Sequence, residues 1–189
     1  RDRRQRQMCI RDREICENKL RELEKINIKV EEIKPKINND FLWGSWTTLR
    51  AKSIYEDTLA MNISDIDSMT YQAIWEYKKG QEINSEDLQL AIDQKQKCLN
   101  QIDSIFGNFD FLALPSAQIF PFDKNLQFPT SINNIELDTY HRWLEVFILS
   151  SLLHLPTFTI PAGFNRNGLP MGMQIITCLL YTSPSPRDH

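Results

Sequence analysis

The chain lacks a cysteine framework, an excess of basic charge and any long apolar run, and each absence excludes a class of protein. Its four cysteines stand at 9, 16, 98 and 178 with no CxxC spacing, so neither a set of bridges nor a redox pair is expected. Two buried thiols, Cys16 and Cys98, are the expectation instead. With Lys+Arg 22 against Asp+Glu 25 the formal charge is −3. A nucleic-acid or anionic-membrane partner needs a basic face to displace counterions, so neither is expected. The most apolar stretch, "VFILSSLLHL", is broken by Ser150, Ser151 and His154 and falls short of the ~20 residues of a membrane span. The expectation is a soluble, cytoplasmic chain; a signal peptide stays open because the sequence does not show the start of its gene.

The two ends differ from the rest. Cys178 to Ser183 can be encoded TGT CTC TTA TAC ACA TCT, and the reverse complement, read in a shifted frame, encodes the end of Gln7, then Met8, Cys9, Ile10, Arg11 and the start of Asp12. One inverted repeat can therefore supply both ends, which resemble translated sequencing-adaptor DNA. On that reading residues 1–13 and 178–189 are excluded from fold reasoning, and 14–177 are a single domain long enough to bury a sizeable core. The ends hold seven of the 22 basic and three of the 25 acidic residues, leaving 15 and 22, a formal charge of −7. Neither end is expected to pack against anything of consequence.

Along residues 14–177 the apolar spacing alternates between helix and strand. Ile15, Leu20, Leu23 and Ile26 form a helical stripe, and Ile26, Ile28, Val30 and Ile33 approximate period-two alternation ending at Pro35, which predicts a strand. A helix capped by Asn39 or Asp40 carries Phe41, Trp43, Trp46, Leu49 and Tyr55 as core candidates. Residues 61–70 read as loop, 70–79 as a short helix stopped by Gly80, and the stretch from Asn84 or Ser85 to Phe106 as the longest helix, with Leu88, Ile92, Leu99, Ile102 and Ile105 on its apolar face. "FDFLALP" predicts a strand covered on both faces. A long aromatic loop, 116–134, precedes a helix over 136–153, and "TFTIP", "NRNG" and "LPMGMQII" read as strand, turn and strand. Strands alternating with long helices predict an α/β fold with a mixed sheet.

"FDFLALPSAQIFPF", "LDTYHRWLEV" and above all "LPTFTIPAGFNRNGLPMGMQII" resemble, in content and order, the C-terminal part of the amidase signature family. The resemblance is specific from Asp110 onward and compositional before it. Two local departures stand out: His154 where the family often ends a helix with glycine, and Ser116 where it more often has threonine.

The resemblance implies an α/β/α layered fold, here truncated on its N-terminal side, and hydrolysis of a carboxamide by a Ser-cis-Ser-Lys triad. In that chemistry a neutral lysine draws the nucleophile's proton through the bridging serine, and a Gly/Ser-rich turn donates N–H groups to the oxyanion. The six glycines are isolated and no Ser-Ser pair is flanked by glycine, so no catalytic residue is assigned, the triad is expected upstream of Glu14, and the chain alone is expected to be inactive. Ser116, His141 and Asp138 could be assembled into a Ser/His/Asp set, but such common residue types always permit that exercise. Gln118, Phe120, Tyr140 and Trp143 are the candidate substrate-binding residues, expected on the acyl side of a small-molecule amide pocket because open α/β sheets bind ligands beyond their strand ends. No cofactor or metal is expected, and a homodimer is left open. A non-catalytic scaffold or an amidotransferase A-type subunit is the alternative.

Overall fold

The computed structural model describes residues 10–63 and 65–178, which form two compact units, 36–104 and the remainder. The adaptor-like reading of residues 1–9 and 179–189 lies outside the described residues. Among the described residues no helix is long and apolar enough to cross a membrane, and no cluster of His, Cys, Asp or Glu could hold a metal ion.

In the unit that carries the block with the family likeness, helix α1 (Ile10–Glu24) precedes strands β1 (Phe111–Pro115), β2 (Ser131–Ile132), β3 (Ile135–Glu136), β4 (Thr157–Phe164) and β5 (Pro170–Thr177). Helix α1 thus begins four residues before the expected boundary at Glu14, and Arg13 pairs with Glu17 one turn on and with Glu32 at 3.0 Å. The main sheet has the order β1-β5-β4, with both pairings antiparallel. Alternation along β5 sets the layers: Met171, Met173 and Ile175 pack with Cys16, Ile15 and Leu20 of α1. Gln174, on the opposite face, reaches the short helices on the other side: a 3₁₀ helix over Arg142–Phe147 and α5 (Ile148–Leu153). Helix, sheet and helix are the α/β layers expected from the sequence, but among the described strands the sheet is antiparallel and not mixed.

The β4–β5 hairpin turns at Asn165–Gly168 as its residues dictate. The Gly168 amide donates to Asn165 O at 2.9 Å, Asn165 Oδ1 accepts from the amides of Asn167 and Leu169, and Gly168 takes φ +74°, the type I turn plus left-handed residue of a three-residue hairpin loop. The β2–β3 hairpin closes on Asn133 and Asn134, both at positive φ, which is the type I′ requirement.

Three expectations for this unit need correction. Residues 26–33 form no strand. The chain leaves α1 through Asn27 at φ 63°, and Ile26 and Ile28 are exposed; period two without a neighbouring edge supplies no ladder hydrogen bonds. The helix expected over 136–153 starts late, because 136 belongs to β3, 142–147 are 3₁₀ and only Ile148–Leu153 is α-helical. Finally, β1 pairs only with β5 among the described strands, and Phe111 at its start is exposed. His154 ends α5 in the left-handed conformation, φ 53°, so the histidine occupies a position whose backbone suits glycine.

The other unit is helical: α2 (Asn39–Ala60), a 3₁₀ turn at Ile66–Ser68, α3 (Tyr71–Glu82) and α4 (Ser85–Phe106). Asn38 caps α2, its Oδ1 accepting from the Asp40 and Phe41 amides at 3.0 and 3.1 Å, one position before the expected caps. Asn84 caps α4 in the same way, through the amides of Glu86 and Asp87. Gly80 does not stop α3, which runs on to Glu82. A Cβ there would lie 2.1 Å from Ala51 O and 2.6 Å from Tyr55 Cβ, so the glycine exists for the approach of α3 to α2. Where α2 is fully buried its residues are mostly small, Ser45, Ala51 and Thr58 beside Leu42, while Trp43, Trp46 and Tyr55 are only half-buried. The buried line of α4 is Ala91, Cys98 and Ile102, with Ile92 exposed, because the helix meets its neighbours about one residue round from the most apolar face. Arg50 Nε donates to Glu76 Oε1 at 2.6 Å, joining α2 to α3 at a carboxylate that is 2 % exposed. Cys16 and Cys98 are both buried thiols outside any disulfide, and burial pushes the Cys98 thiol above its ordinary range.

Candidate functional site

A concavity in the layered unit opens where β1 ends and the long loop begins. The Ser116 amide donates to Gly172 O at 2.9 Å, continuing the β1–β5 ladder by one residue. Its hydroxyl lies so close to Gly172 that a Cβ there would be 2.4 Å from Ser116 Oγ and 3.2 Å from Thr159 Cγ2. Only glycine lets the loop leave the sheet at this level. Beyond Ser116 the chain carries Ile119, Phe120, Pro121 and Phe122 along one wall of a cleft of about 480 Å³, open to solvent. The facing wall is Thr159, Ile160, Pro161, Pro170, Met171 and Gly172 from the β4–β5 hairpin. Trp143 closes one side, its indole edge-on to Phe122 with ring centroids 5.6 Å apart.

Of the four residues singled out from the sequence, Phe120 and Trp143 line this cleft and Gln118 and Tyr140 do not. Gln118 is buried, its Nε2 donating to Arg142 O at 2.9 Å, which ties the start of the loop to the 3₁₀ helix. Tyr140 stacks on His141 at 3.8 Å and lies 6.0 Å from Phe128. Gln118 thus braces the loop, while Tyr140 packs with residues outside the cleft lining.

Sequence reasoning missed Gln174. Its side chain, 1 % exposed, donates through Nε2 to Pro115 O and Val146 O, both at 2.9 Å, and Ser150 Oγ lies 3.2 Å from its Oε1. One amide thus fixes the end of β1, where the loop departs, to the helices carrying Trp143. A glutamine sharing its strand face with Ile176, inside a strand whose other face is apolar, was the available signal.

The Ser116, His141 and Asp138 set finds no support. Arg142 Nε and Nη2 donate to the two oxygens of Asp138 at 2.9 and 2.6 Å, and that pairing holds its carboxyl below the usual carboxylate range. Ser150 lies within α5, its hydroxyl 3.1 Å from Phe147 O, the turn-bonding habit of a helical serine.

A family model described as Amidase matches residues 11–179. Among curated proteins, the A subunit of glutamyl-tRNA(Gln) amidotransferase from Orientia tsutsugamushi (strain Boryong) is 35% identical over 80 residues, which are 41% of this chain and 15% of that protein. Its counterpart from Chlamydia abortus (strain DSM 27085 / S26/3) is 30% identical over 101 residues, 53% of this chain and 17% of that one. Among solved structures, a bacterial aryl acylamidase of the amidase signature enzymes superposes with TM-score 0.79 at 17% identity over 90% of this chain and 37% of its own. The A subunit of glutamyl-tRNA(Gln) amidotransferase from Thermotoga maritima gives 0.60 at 19% identity over 92% and 36%. The chain therefore covers 15–17% of these curated relatives and less than two fifths of these structures.

Proposed function

Because the chain belongs to the amidase signature family, we propose that it supplies the substrate cleft of an enzyme that hydrolyses a carboxamide C–N bond. The observation that carries this reading is the cleft itself: both walls come from the segments that resemble the family most specifically, the loop after Pro115 and the β4–β5 hairpin. In the chemistry the family implies, a serine hydroxyl attacks the carboxamide carbon, its proton passing through the bridging serine to a neutral lysine. The tetrahedral oxyanion rests on backbone N–H groups, the C–N bond breaks as the amine takes the proton, and water then hydrolyses the acyl-enzyme. The three catalytic residues come from sequence outside this chain. The role left to these residues is to hold the acyl group against the hairpin so that its carbonyl meets the nucleophile. A cytoplasmic location belongs to the same proposal.

The test compares the 189-residue chain with the same chain joined to its upstream reading frame, measuring ammonia or amine release from simple carboxamides. Activity in the joined protein and none in the chain alone is expected. A joined protein that folds, carries the lysine and paired serines and yet cleaves no amide overturns the reading. The similarity to amidotransferase A subunits favours a second reading, an A-type subunit, for which amide transfer is seen only when partner subunits and an acyl acceptor are supplied.

A further inference from the structure

We propose that this cleft takes a neutral, hydrophobic acyl group, an aryl ring or a medium alkyl chain, and rejects acyl groups that carry a charge. The proposal rests on the amide-cleft reading above and names the substrate class for it. No lining residue is ionisable as a carboxylate, an ammonium, a guanidinium or an imidazole. The polar side-chain groups are the hydroxyls of Ser116 and Thr159 and the indole N–H of Trp143; the remainder is aromatic, aliphatic or proline.

The two charged residues directly adjoining lining residues in sequence are engaged with other partners. Arg142, beside Trp143, is committed to Asp138 at 2.6 Å and to Glu145 at 3.4 Å. Asp123, beside Phe122, accepts from the Asn125 amide and side chain at 2.9 Å. A carboxylate or ammonium seated against Phe120, Met171 and Ile160 would give up part of its water and gain no charged partner among the lining residues, which disfavours it. An aryl group loses little water and meets the edge-to-face pair of Phe122 and Trp143, whose geometry leaves ring faces and edges for further stacking. A neutral ring also fits the size, since the cleft is within the range that receives small ligands.

The experiment titrates the full 189-residue chain with three para-substituted benzamides of similar size: para-toluamide, para-carbamoylbenzoate and para-(aminomethyl)benzamide. Binding is read by ligand-observed saturation-transfer NMR and by tryptophan fluorescence. The neutral amide should bind at least about ten-fold more tightly than either charged one. Phe120→Leu should weaken it measurably and Phe120→Ala further, with the far-UV circular dichroism spectrum of the Leu variant showing the parent fold. Trp143→Phe should remove the fluorescence response and leave the NMR signal. Charged amides that bind as tightly as para-toluamide would overturn the substrate class and leave the amide cleft standing. Failure of all three to bind, or binding indifferent to both Phe120→Leu and Trp143→Phe, would overturn the cleft assignment and this inference with it.

Discussion

Replacing Gly80 by alanine isolates one close contact in the helical unit. Helix propensity alone favours the change by about 1 kcal/mol, since alanine restricts the unfolded chain and glycine does not. The geometry opposes it. The new carbon would stand 2.1 Å from Ala51 O and 2.8 Å from Ala51 C, against ~3.5 Å for an unstrained carbon contact. The obstructing atoms are backbone, so α3 must move away from α2 by more than an ångström, and it takes with it the Arg50–Glu76 ion pair at 2.6 Å and the Tyr55–Tyr77 ring contact at 5.3 Å. Overpacking of this kind costs about 3 kcal/mol at the upper end of its usual range, leaving a net loss of about 2 kcal/mol after the gain in propensity. Urea unfolding followed by far-UV circular dichroism should show the midpoint falling by about 1 M at unchanged slope, given slopes of about 2 kcal/mol/M. Gly44→Ala is the internal control. Its Cβ would meet only Gln94 Oε1, at 3.5 Å, the end of a flexible side chain, so that variant should be stabilised by up to about 1 kcal/mol. A Gly80→Ala protein as stable as the parent, or shifted in parallel with Gly44→Ala, refutes the close-contact argument.

Two further perturbations address the layered unit. Gln174→Leu leaves Pro115 O and Val146 O without their donor and should cost about 3 kcal/mol in chemical denaturation; a loss below about 1 kcal/mol would mean that the helices and β1 relax or hydrate without it. Asp138 has a carboxyl pKa lowered chiefly by its hydrogen bond from Arg142, so the unfolded state binds the proton more readily and the ion pair stabilises fully above the ordinary aspartate range, ~3.9. That stabilisation fades as pH falls through the lowered native value, and because the side chain is 60% exposed it amounts to no more than about 1 kcal/mol. The stability difference between the parent and Asp138→Asn should therefore close on acidification, and a gap that widens below pH ~3.9 contradicts the pairing.

The hairpin of β4 and β5 could be read from the sequence because its determinants are local. Asn165 and Gly168 set the turn, and the recurrence of Met171, Met173 and Ile175 at every second residue puts them on one face. The α4 span was readable for the same reason, an uninterrupted periodic run with a capping asparagine. Of the four candidate substrate-binding residues, Phe120 and Trp143 stand in the cleft. Gln118 and Tyr140 were drawn from the same segments but turn to Arg142 O and to His141, a choice of rotamer and loop path that no pattern of residue types encodes.

By itself, then, the sequence determined the helices with caps and sustained periodicity, the terminal hairpin and the acidic balance, because each depends on neighbours a few residues apart. Tertiary structure alone decided whether period two at 26–33 became a strand, which it did not, because among the described residues it pairs with no other strand. It also decided that Gly80 is a contact and not a stop, since Ala51 lies 29 positions away in the chain and 2.1 Å from the missing Cβ in space. And it decided what Gln174 does, because the amide's partners, Pro115 O and Val146 O, are brought within 2.9 Å only when sheet and helices close around it.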